Sequence, residues 1–454
     1  MYKETLRQVW AEIDMSAFDH NVKQIKAQMK CPEMIGVIKA NGYGHGATEC
    51  AKVLQYNGVN NFAVATLEEA INLREDGIEG NIVILGLTPK ECVDTVIEYD
   101  LIPGVMHYDY VKALSDEVMA QGAEPARVLF GLDTGMGRVG FRVFTEEERE
   151  YAVEQFKKFA ELPGIQIPGV MHYDYVKALS DEVMAQGAEP ARVLFGLDTG
   201  MGRVGFRVFT DEERDYAVEQ YKKFAALPGI KVAGVITHFS TADEEQREYT
   251  GMQIANYKAF FEKLNAAGFD PKKICANSAS IMVYPEIHYD ACRPGIILYG
   301  LAPSGYLKGK VLDLKPVMTV KAEIVNLKTV PAGTSVSYGR KFTSTEKETK
   351  IATIGLGYAD GYSRLNSGKI SVLVGGIKCP VVGNICMDQC MVDVSAVPDV
   401  KLGDEVVVLG KQGDQEISAD DLAAINGTIN YEITCCFDLR IPKVYINYPE
   451  GMCK

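Results

Sequence analysis

The chain is poor in histidine and tryptophan, with six His and one Trp in 454 residues, and none of its eleven cysteines forms a C-x-x-C pair. The histidines stand apart at 20, 45, 107, 172, 238 and 288, and the nearest cysteine groupings are Cys386 with Cys390 and Cys435 beside Cys436. Ligands scattered in this way fit no common zinc spacing, so no metal site is expected and the cysteines read as reduced thiols of a cytosolic protein. Positive charge is scarce as well: 47 Lys and Arg face 61 Asp and Glu, for a formal net charge of -14. That balance disfavours nucleic acid or an anionic membrane surface as the main partner, while a few local Arg residues can still hold a small anion. Long apolar runs are missing too. The opening MYKETLRQVW lacks the apolar centre of a signal peptide and no run of about 18 apolar residues occurs, so a cytoplasmic location is expected.

What is present is a sizeable core and a repeat. With 47% apolar residues, the chain can fill two domains. Gly104 to Thr145 recurs unchanged as Gly169 to Thr210, an offset of 65, and the likeness continues with small differences until Pro168 meets Ala233. This is one tandem duplication, 104–168 and 169–233, because a solenoid would show three or more shorter, drifting units. Subtracting one 65-residue copy from 454 leaves 389 residues. Short apolar runs alternate with amphipathic segments through the first two thirds. FAVA precedes Thr66-Leu-Glu-Glu69, NIVILGL precedes Thr88-Pro-Lys-Glu91, and RVLFGLD precedes Thr145-Glu-Glu-Glu148. Each tetrapeptide has the form of a capping box, the mark of a strand handing over to a helix. The class is therefore α/β. Strand-loop-helix units repeated in this way argue for a parallel sheet, with a closed barrel of the TIM (β/α)8 type as the leading reading and a doubly wound sheet as the alternative. After about Gly300 the texture changes to β-branched runs such as KISVLVGG and DEVVVLG, separated by Gly, Pro and Asp. A mostly β domain is expected there, giving units of 1–305 and 306–454.

The segment EMIGVIKANGYGHG runs from an apolar strand through Lys39 into a Gly-rich loop with Tyr43 and His45. At the C-terminal end of a barrel strand, partial desolvation would make Lys39 a competent amine nucleophile, suited to a Schiff base. Taken alone, a snorkelling Lys is the commoner reading. The wider pattern changes the balance. Lys39 in VIKANGYGHG, His238 in THFSTADE, Asn277 and Ser278 in ANSAS, Arg293 in CRPGIILYG, Tyr338 in VSYGRKFT, Tyr358 in GYADGY and Met387 in ICMDQ stand in the order of the motifs of the alanine racemase family. The chain resembles that family over nearly its whole length once one repeat copy is set aside.

The resemblance implies a pyridoxal 5'-phosphate barrel, a C-terminal β domain and a homodimer with shared active sites. It also implies interconversion of L- and D-alanine, supplying D-alanine for cell-wall peptidoglycan. Lys39 would hold the cofactor and exchange the α-proton on one face. Tyr338, reaching in from the other subunit, would do so on the opposite face, and a phenol with a pKa near 10 needs tuning for that task. A hydrogen-bonded line through His238 to Arg293 and the pyridine nitrogen is the implied means. Phosphate would fall to Ser278, the amides of Gly295 and Ile296, and the hydroxyls of Tyr43 and Tyr358. Met387 would offer a backbone amide to the substrate carboxylate, and the Arg of DTGMGRVGF, Arg203 or Arg138, the planar guanidinium.

One departure stands out. Many relatives carry a carbamylated Lys seven residues before that Arg, whereas this chain has Gly131 and Gly196. Other readings are a racemase for serine or a broader set of amino acids, and a pyridoxal phosphate-binding protein inactivated by the duplication. A barrel's strand number, tilt and shear are linked, so eight strands are expected, with one copy displaced and the second copy in the barrel.

Overall fold

The computed structural model describes residues 7–105, 108–121, 126–130, 132–133, 141–142, 165–169, 191–202, 205–228, 230–438 and 440–452. After strand β1 (Val9–Asp14) and helix α1 (Met15–Gln28), parallel strands alternate with helices. They begin with β2 (Glu33–Met34) and β3 (Gly36–Val37), two halves of one strand position, followed by α2 (Lys39–Tyr43) and α3 (Ala47–Tyr56). Next come β4 (Asn61–Val64), α4 (Leu67–Glu75), β5 (Asn81–Leu87), α5 (Val93–Glu98), β6 (Ile102–Val105), α6 (Tyr108–Gln121) and β7 (Ala126–Phe130). Then follow β8 (Ile165–Gly169), β9 (Ala191–Asp198), α7 (Asp211–Ala225), β10 (Ile230–Ile236) and α8 (Glu248–Ala266). The series ends with β11 (Lys273–Ile274), β12 (Ala276–Asn277), α9 (Ser278–Val283) and β13 (Ala291–Arg293).

Local signals explain where some of these helices begin. Thr66 and Glu69 form a reciprocal capping box before α4, and Thr210 and Glu213 do the same before α7. The first-copy counterpart, Thr145 to Glu148, lies outside the described residues. Thr88-Pro-Lys-Glu91 makes no such box. Pro89 is extended, a single 3-10 turn spans Lys90–Cys92, and α5 starts only at Val93, because the capping geometry never forms at Thr88.

The duplication is accommodated differently from the displaced copy that barrel closure alone suggests. Ladders run β3-β4-β5-β6-β7-β8 in one sheet, β9-β10-β11 in a second and β12-β13-β2 in a third. β7 and β8 lie in or beside the first copy, β9 and β10 in or beside the second, and all four stand in the parallel array. β8 and β9 lie side by side, with no ladder between them among the described residues. Each copy brings strands whose edges need partners, and an expelled pair would leave those edges bare. A break in the ladder at this point, among the described residues, relaxes the closure condition that a continuous barrel must meet.

The second unit is an antiparallel sheet built on the long strand β14 (Met318–Pro331). Its other strands are β15 (Glu348–Ile354), β16 (Ser371–Val374), β17 (Ile377–Val382), β18 (Cys390–Asp393), β19 (Glu405–Gln412) and β20 (Gln415–Ile417). Helices α10 (Ala419–Asn426) and α11 (Asn430–Cys436) follow, then the edge strand β21 (Lys443–Ile446). β14 pairs with β15 through its second half and with β19 through its first, closing a ring through β16, β17 and β18. β1 joins this sheet, Val9 opposite Ala322 and Ile13 opposite Met318, so the chain's first strand belongs with its last ones. One apolar cluster runs from Phe18 and Phe62 through Phe195 and Phe260 to Val372 and Val407. Burial of that scale supports both units.

Candidate active site

Lys39 sits where β3 ends, at the head of a turn with unusual backbone geometry. Ala40, Asn41 and Tyr43 have φ of 51°, 49° and 52°, and Gly42 between them has 63°. Left-handed geometry at non-Gly residues costs on the order of 1–2 kcal/mol each, so neighbours must hold it. Several do. The Ala40 amide donates to Glu69 Oε1 at 2.7 Å, Asn41 Nδ2 donates to Asp438 Oδ1 at 2.9 Å, and the Ala47 amide donates to Asn41 Oδ1 at 2.9 Å. His45 is fully buried, its Nδ1 3.0 Å from the carbonyls of Gly42 and Tyr43, and its ring stacks on Tyr299 at 4.6 Å. Burial lowers its pKa to about 4, so this His is a neutral prop of the turn. Helix α11 closes the other side, since a Cβ on Gly44 would stand 2.2 Å from the Thr434 carbonyl. Burial pushes the Cys435 thiol up to about 11, with the Lys39 ammonium acting in the opposite sense. Sequence reading missed Glu69 in this role, because a carboxylate already committed to a capping box shows no second partner.

An anion cradle lies beside that turn. The Val37 amide donates to the Pro294 carbonyl at 3.2 Å, which brings the Lys39 strand against Gly295. The Gly295 amide donates to Ser278 Oγ at 2.9 Å. A Cβ at 295 would come within 3.0 Å of Tyr43 Oη and 3.8 Å of Ser278 Oγ, so glycine keeps the space between them open. Ser278 heads α9, whose N-terminus is capped by Asn277 accepting from the Ser280 amide at 3.0 Å. Ile296, fully buried, begins the next turn. Donors clustered around a glycine suit a phosphate, and burial holds Tyr43 protonated by raising its pKa to about 12.

His238 and Arg293 meet at the ends of β10 and β13. Arg293 Nη2 is 3.1 Å from His238 Nδ1, and the same guanidinium donates to the carbonyls of Thr237 at 3.0 Å and Ile274 at 3.3 Å. Arg only donates, so His238 Nδ1 accepts and a neutral His238 carries its proton on Nε2, where it can donate onward.

Both copies of DTGMGRVGF form the same short parallel bridge, Leu132 opposite Phe141 and Leu197 opposite Phe206. In the second copy Asp198 Oδ1 accepts from the amides of Gly200 and Gly202, each at 3.0 Å. Thr199 Oγ1 lies 3.0 Å from Thr237 Oγ1, and Asn256 Nδ2 donates to the Thr199 carbonyl at 3.2 Å. The second loop is therefore tied to the strand that ends in His238. Arg138 and Arg203 both lie outside the described residues, as does Gly131; Gly196 is buried in β9.

Tyr338, Tyr358 and Met387 gather on an exposed edge of the β unit, and are 72%, 43% and 54% exposed. Asn384 Nδ2 donates to the Tyr338 carbonyl at 2.7 Å, and the amides of Tyr358 and Ala359 donate to the carbonyls of Cys386 and Met387, both at 3.0 Å. Buried Asp360, paired with Arg7 at 2.9 Å, accepts from the Gly357 amide at 3.0 Å and anchors the Tyr358 turn. This edge meets the Lys39 turn through α11, since a Cβ on Gly361 would stand 2.2 Å from the Cys436 carbonyl.

Comparison with known proteins places this geometry. The profile of "Alanine racemase, N-terminal domain" matches residues 13–186 and 174–303, and that of "Alanine racemase, C-terminal domain" matches 317–445. The chain belongs to the alanine racemase family. The N-terminal profile matches in two segments, 13–186 holding the first repeat copy and 174–303 most of the second. Alanine racemase 1 of Clostridium acetobutylicum is 40% identical over 98% of this chain and 97% of its own. The solved alanine racemase of Clostridium difficile 630 is 32% identical, covers 97% of each chain and superposes with a TM-score of 0.70. An alanine racemase from Bartonella henselae "with covalently bound pyridoxal phosphate" shares the fold, at 23% identity and a TM-score of 0.66 over 97% of this chain and 99% of that one. Among the described residues no helix is long and apolar enough to cross a membrane.

Proposed function

We propose that this alanine racemase family member interconverts L- and D-alanine with pyridoxal 5'-phosphate in a homodimer, supplying D-alanine for cell-wall synthesis. The observation that carries the cofactor assignment is the cradle at Gly295, where a side-chain carbon would come within 3.0 Å of Tyr43 Oη and 3.8 Å of Ser278 Oγ, so that only glycine leaves both hydroxyls and the backbone clear. Ser278, Tyr43 and the amides of Gly295 and Ile296 would hold the phosphate, with Tyr358 completing the set. Pyridoxal phosphate, when bound, supplies an aldehyde carbon for an amine and an electron-withdrawing ring that stabilises negative charge at the substrate α-carbon.

Lys39, at the mouth of the strand array, would hold the cofactor by its amine and carry the α-proton on one face. A racemase needs a second base opposite. Tyr338 is 72% exposed on its own chain, which suits a residue whose work lies in the partner's site. In the dimer the partner subunit's Tyr338 takes the opposite face and the partner subunit's Met387 turns a backbone amide to the substrate carboxylate. His238, its Nε2–H left free to donate by the Arg293 contact, would orient that phenol. Arg293 fixes the tautomer of His238 and would hold the cofactor's ring nitrogen with a permanent cation that has no proton to give it, so the ring would be a weaker sink for negative charge on the α-carbon. Arg203, on the loop tied to Thr237, is the substrate-side guanidinium in preference to Arg138. The two units are assigned as 1–305 and 306–454, with β1 shared across them.

The test is whether purified protein supplied with pyridoxal phosphate equilibrates L- and D-alanine. Lys39→Ala is expected to abolish the reaction. Tyr338→Phe is expected to stop racemisation while still exchanging the α-hydrogen of D-alanine with deuterated solvent. Cofactor uptake with no D-alanine formed from L-alanine at any enzyme concentration would leave only a binding protein.

A further inference from the structure

Two cysteines that the reaction does not use meet beside the paired strands β2 and β13. Cys31 precedes β2, Cys292 lies in β13, and the two strands pair in parallel with Cys292 opposite Met34. Their Sγ atoms are 3.4 Å apart. Cys31 is half-buried and lines a surface cavity of about 270 Å³ with Lys26, Glu33 and Asn60, whereas Cys292 is fully buried. Cys275, the third thiol in this region, is also buried and donates to the Ile287 carbonyl at 3.1 Å.

We propose that Cys31 and Cys292 form a reversible thiol oxidation site that reacts with a small peroxide. One sulfur is reachable, the other is in contact with it and shielded, and a disulfide needs the two to close to about 2.05 Å. The contact with Cys292 lowers the Cys31 pKa, and it raises that of Cys292, so the half-buried Cys31 is the better nucleophile. The Cys31 thiolate attacks one peroxide oxygen, forming an S–O bond as the O–O bond breaks, and the other oxygen leaves as water after protonation. Cys292 sulfur then attacks Cys31 sulfur; the S–O bond breaks, its oxygen takes the Cys292 proton and leaves as a second water. Two thiols lose two electrons and two protons, and the peroxide is reduced. Arg293 follows Cys292 directly, so closing the bond draws on the strand end that holds His238.

The experiment treats the cofactor-loaded protein with a small excess of hydrogen peroxide, blocks free thiols and maps the peptides by mass spectrometry. The expected product is a single linkage between the peptides bearing Cys31 and Cys292, lost again on dithiothreitol treatment. In Cys292→Ala the oxidised Cys31 is expected to persist as a sulfenic acid trapped by dimedone, and Cys31→Ser is expected to leave Cys292 unmodified. A Cys31 that runs to sulfinic acid in the wild-type protein, a linkage to Cys275 or any other cysteine, or no loss of thiols would each overturn the proposal. The wild-type map is decisive even if the buried variant fails to fold. Coupling to Arg293 rests on the racemase reading and is read separately: turnover should fall with linkage and recover on reduction, and a constant rate at full linkage would overturn the coupling while leaving the site.

Discussion

At the scale of single residues, the site combines strain with fixed protonation states. His45 illustrates the second. Its folded pKa is about 4 against 6.5 for the free group, so the neutral ring is the folded form. Between pH 6.5 and 4 the unfolded chain takes up a proton that the folded one refuses, so stability falls as pH drops through that window and the loss levels off below it. The contribution is up to about 3 kcal/mol. Urea unfolding measured from pH 7 to 4 should show a shallower decline in His45→Gln than in wild type, and parallel curves would refute the assignment. At Gly295 an added methyl meets Tyr43 Oη at 3.0 Å, so Gly295→Ala is expected to weaken pyridoxal phosphate binding about tenfold or more while leaving the melting temperature within a few degrees. Absorbance titration with the cofactor reads this directly. Arg203→Ala should cost roughly 2–5 kcal/mol in kcat/KM, as expected for a desolvated charge pair, while Arg138→Ala should leave it near wild type. Equal losses at both positions would remove the preference for the second copy.

Elements decide how the Lys39 turn is held. α2 makes its left-handed run against α11, and Gly44, with φ of 84°, lies so close to the Thr434 carbonyl that no side chain fits. Gly44→Ala therefore combines backbone strain with a clash between units, and a loss of about 2–4 kcal/mol is expected by chemical denaturation. Loss of Lys39 reactivity toward pyridoxal phosphate should accompany it. Much of this was visible beforehand. Gly-rich VIKANGYGHG announces a loop after a strand that ends in Lys39. Glu69 and Asp438 were not visible, because each reaches the turn from a different element and carries no local mark of doing so. The TPKE stretch shows the reverse: four residues fit for a capping box, yet Pro89 leads into a 3-10 turn and the helix begins later.

For the whole molecule, the seam between β8 and β9 is the feature with consequences. Removing 104–168 joins Pro103 to Gly169 and so restores the same Pro-Gly junction without the surplus copy. Eight strands can then close as one ladder, replacing a contact with no ladder among the described residues at about 0.5–1.5 kcal/mol for each bond gained. The shortened chain is expected to melt several degrees higher and to keep racemase activity at least equal to that of the full chain. Differential scanning calorimetry and a coupled D-alanine assay test both. A lower melting temperature would mean that the extra strands stabilise the array.

The amino-acid sequence by itself determined the family resemblance, an α/β unit followed by a β domain, the strand end that carries Lys39, and the existence of a 65-residue duplication. Those properties rest on local chemistry: periodicity, capping residues and ordered motifs. Tertiary structure alone decided that strands of both copies enter the parallel array, that β1 belongs to the C-terminal sheet, and that Cys31 meets Cys292. Two copies of identical sequence have identical local preferences, so their placement depends on which strand edges find partners and whether the ring must close. Contacts between residues 261 positions apart are likewise set by the path of the whole chain.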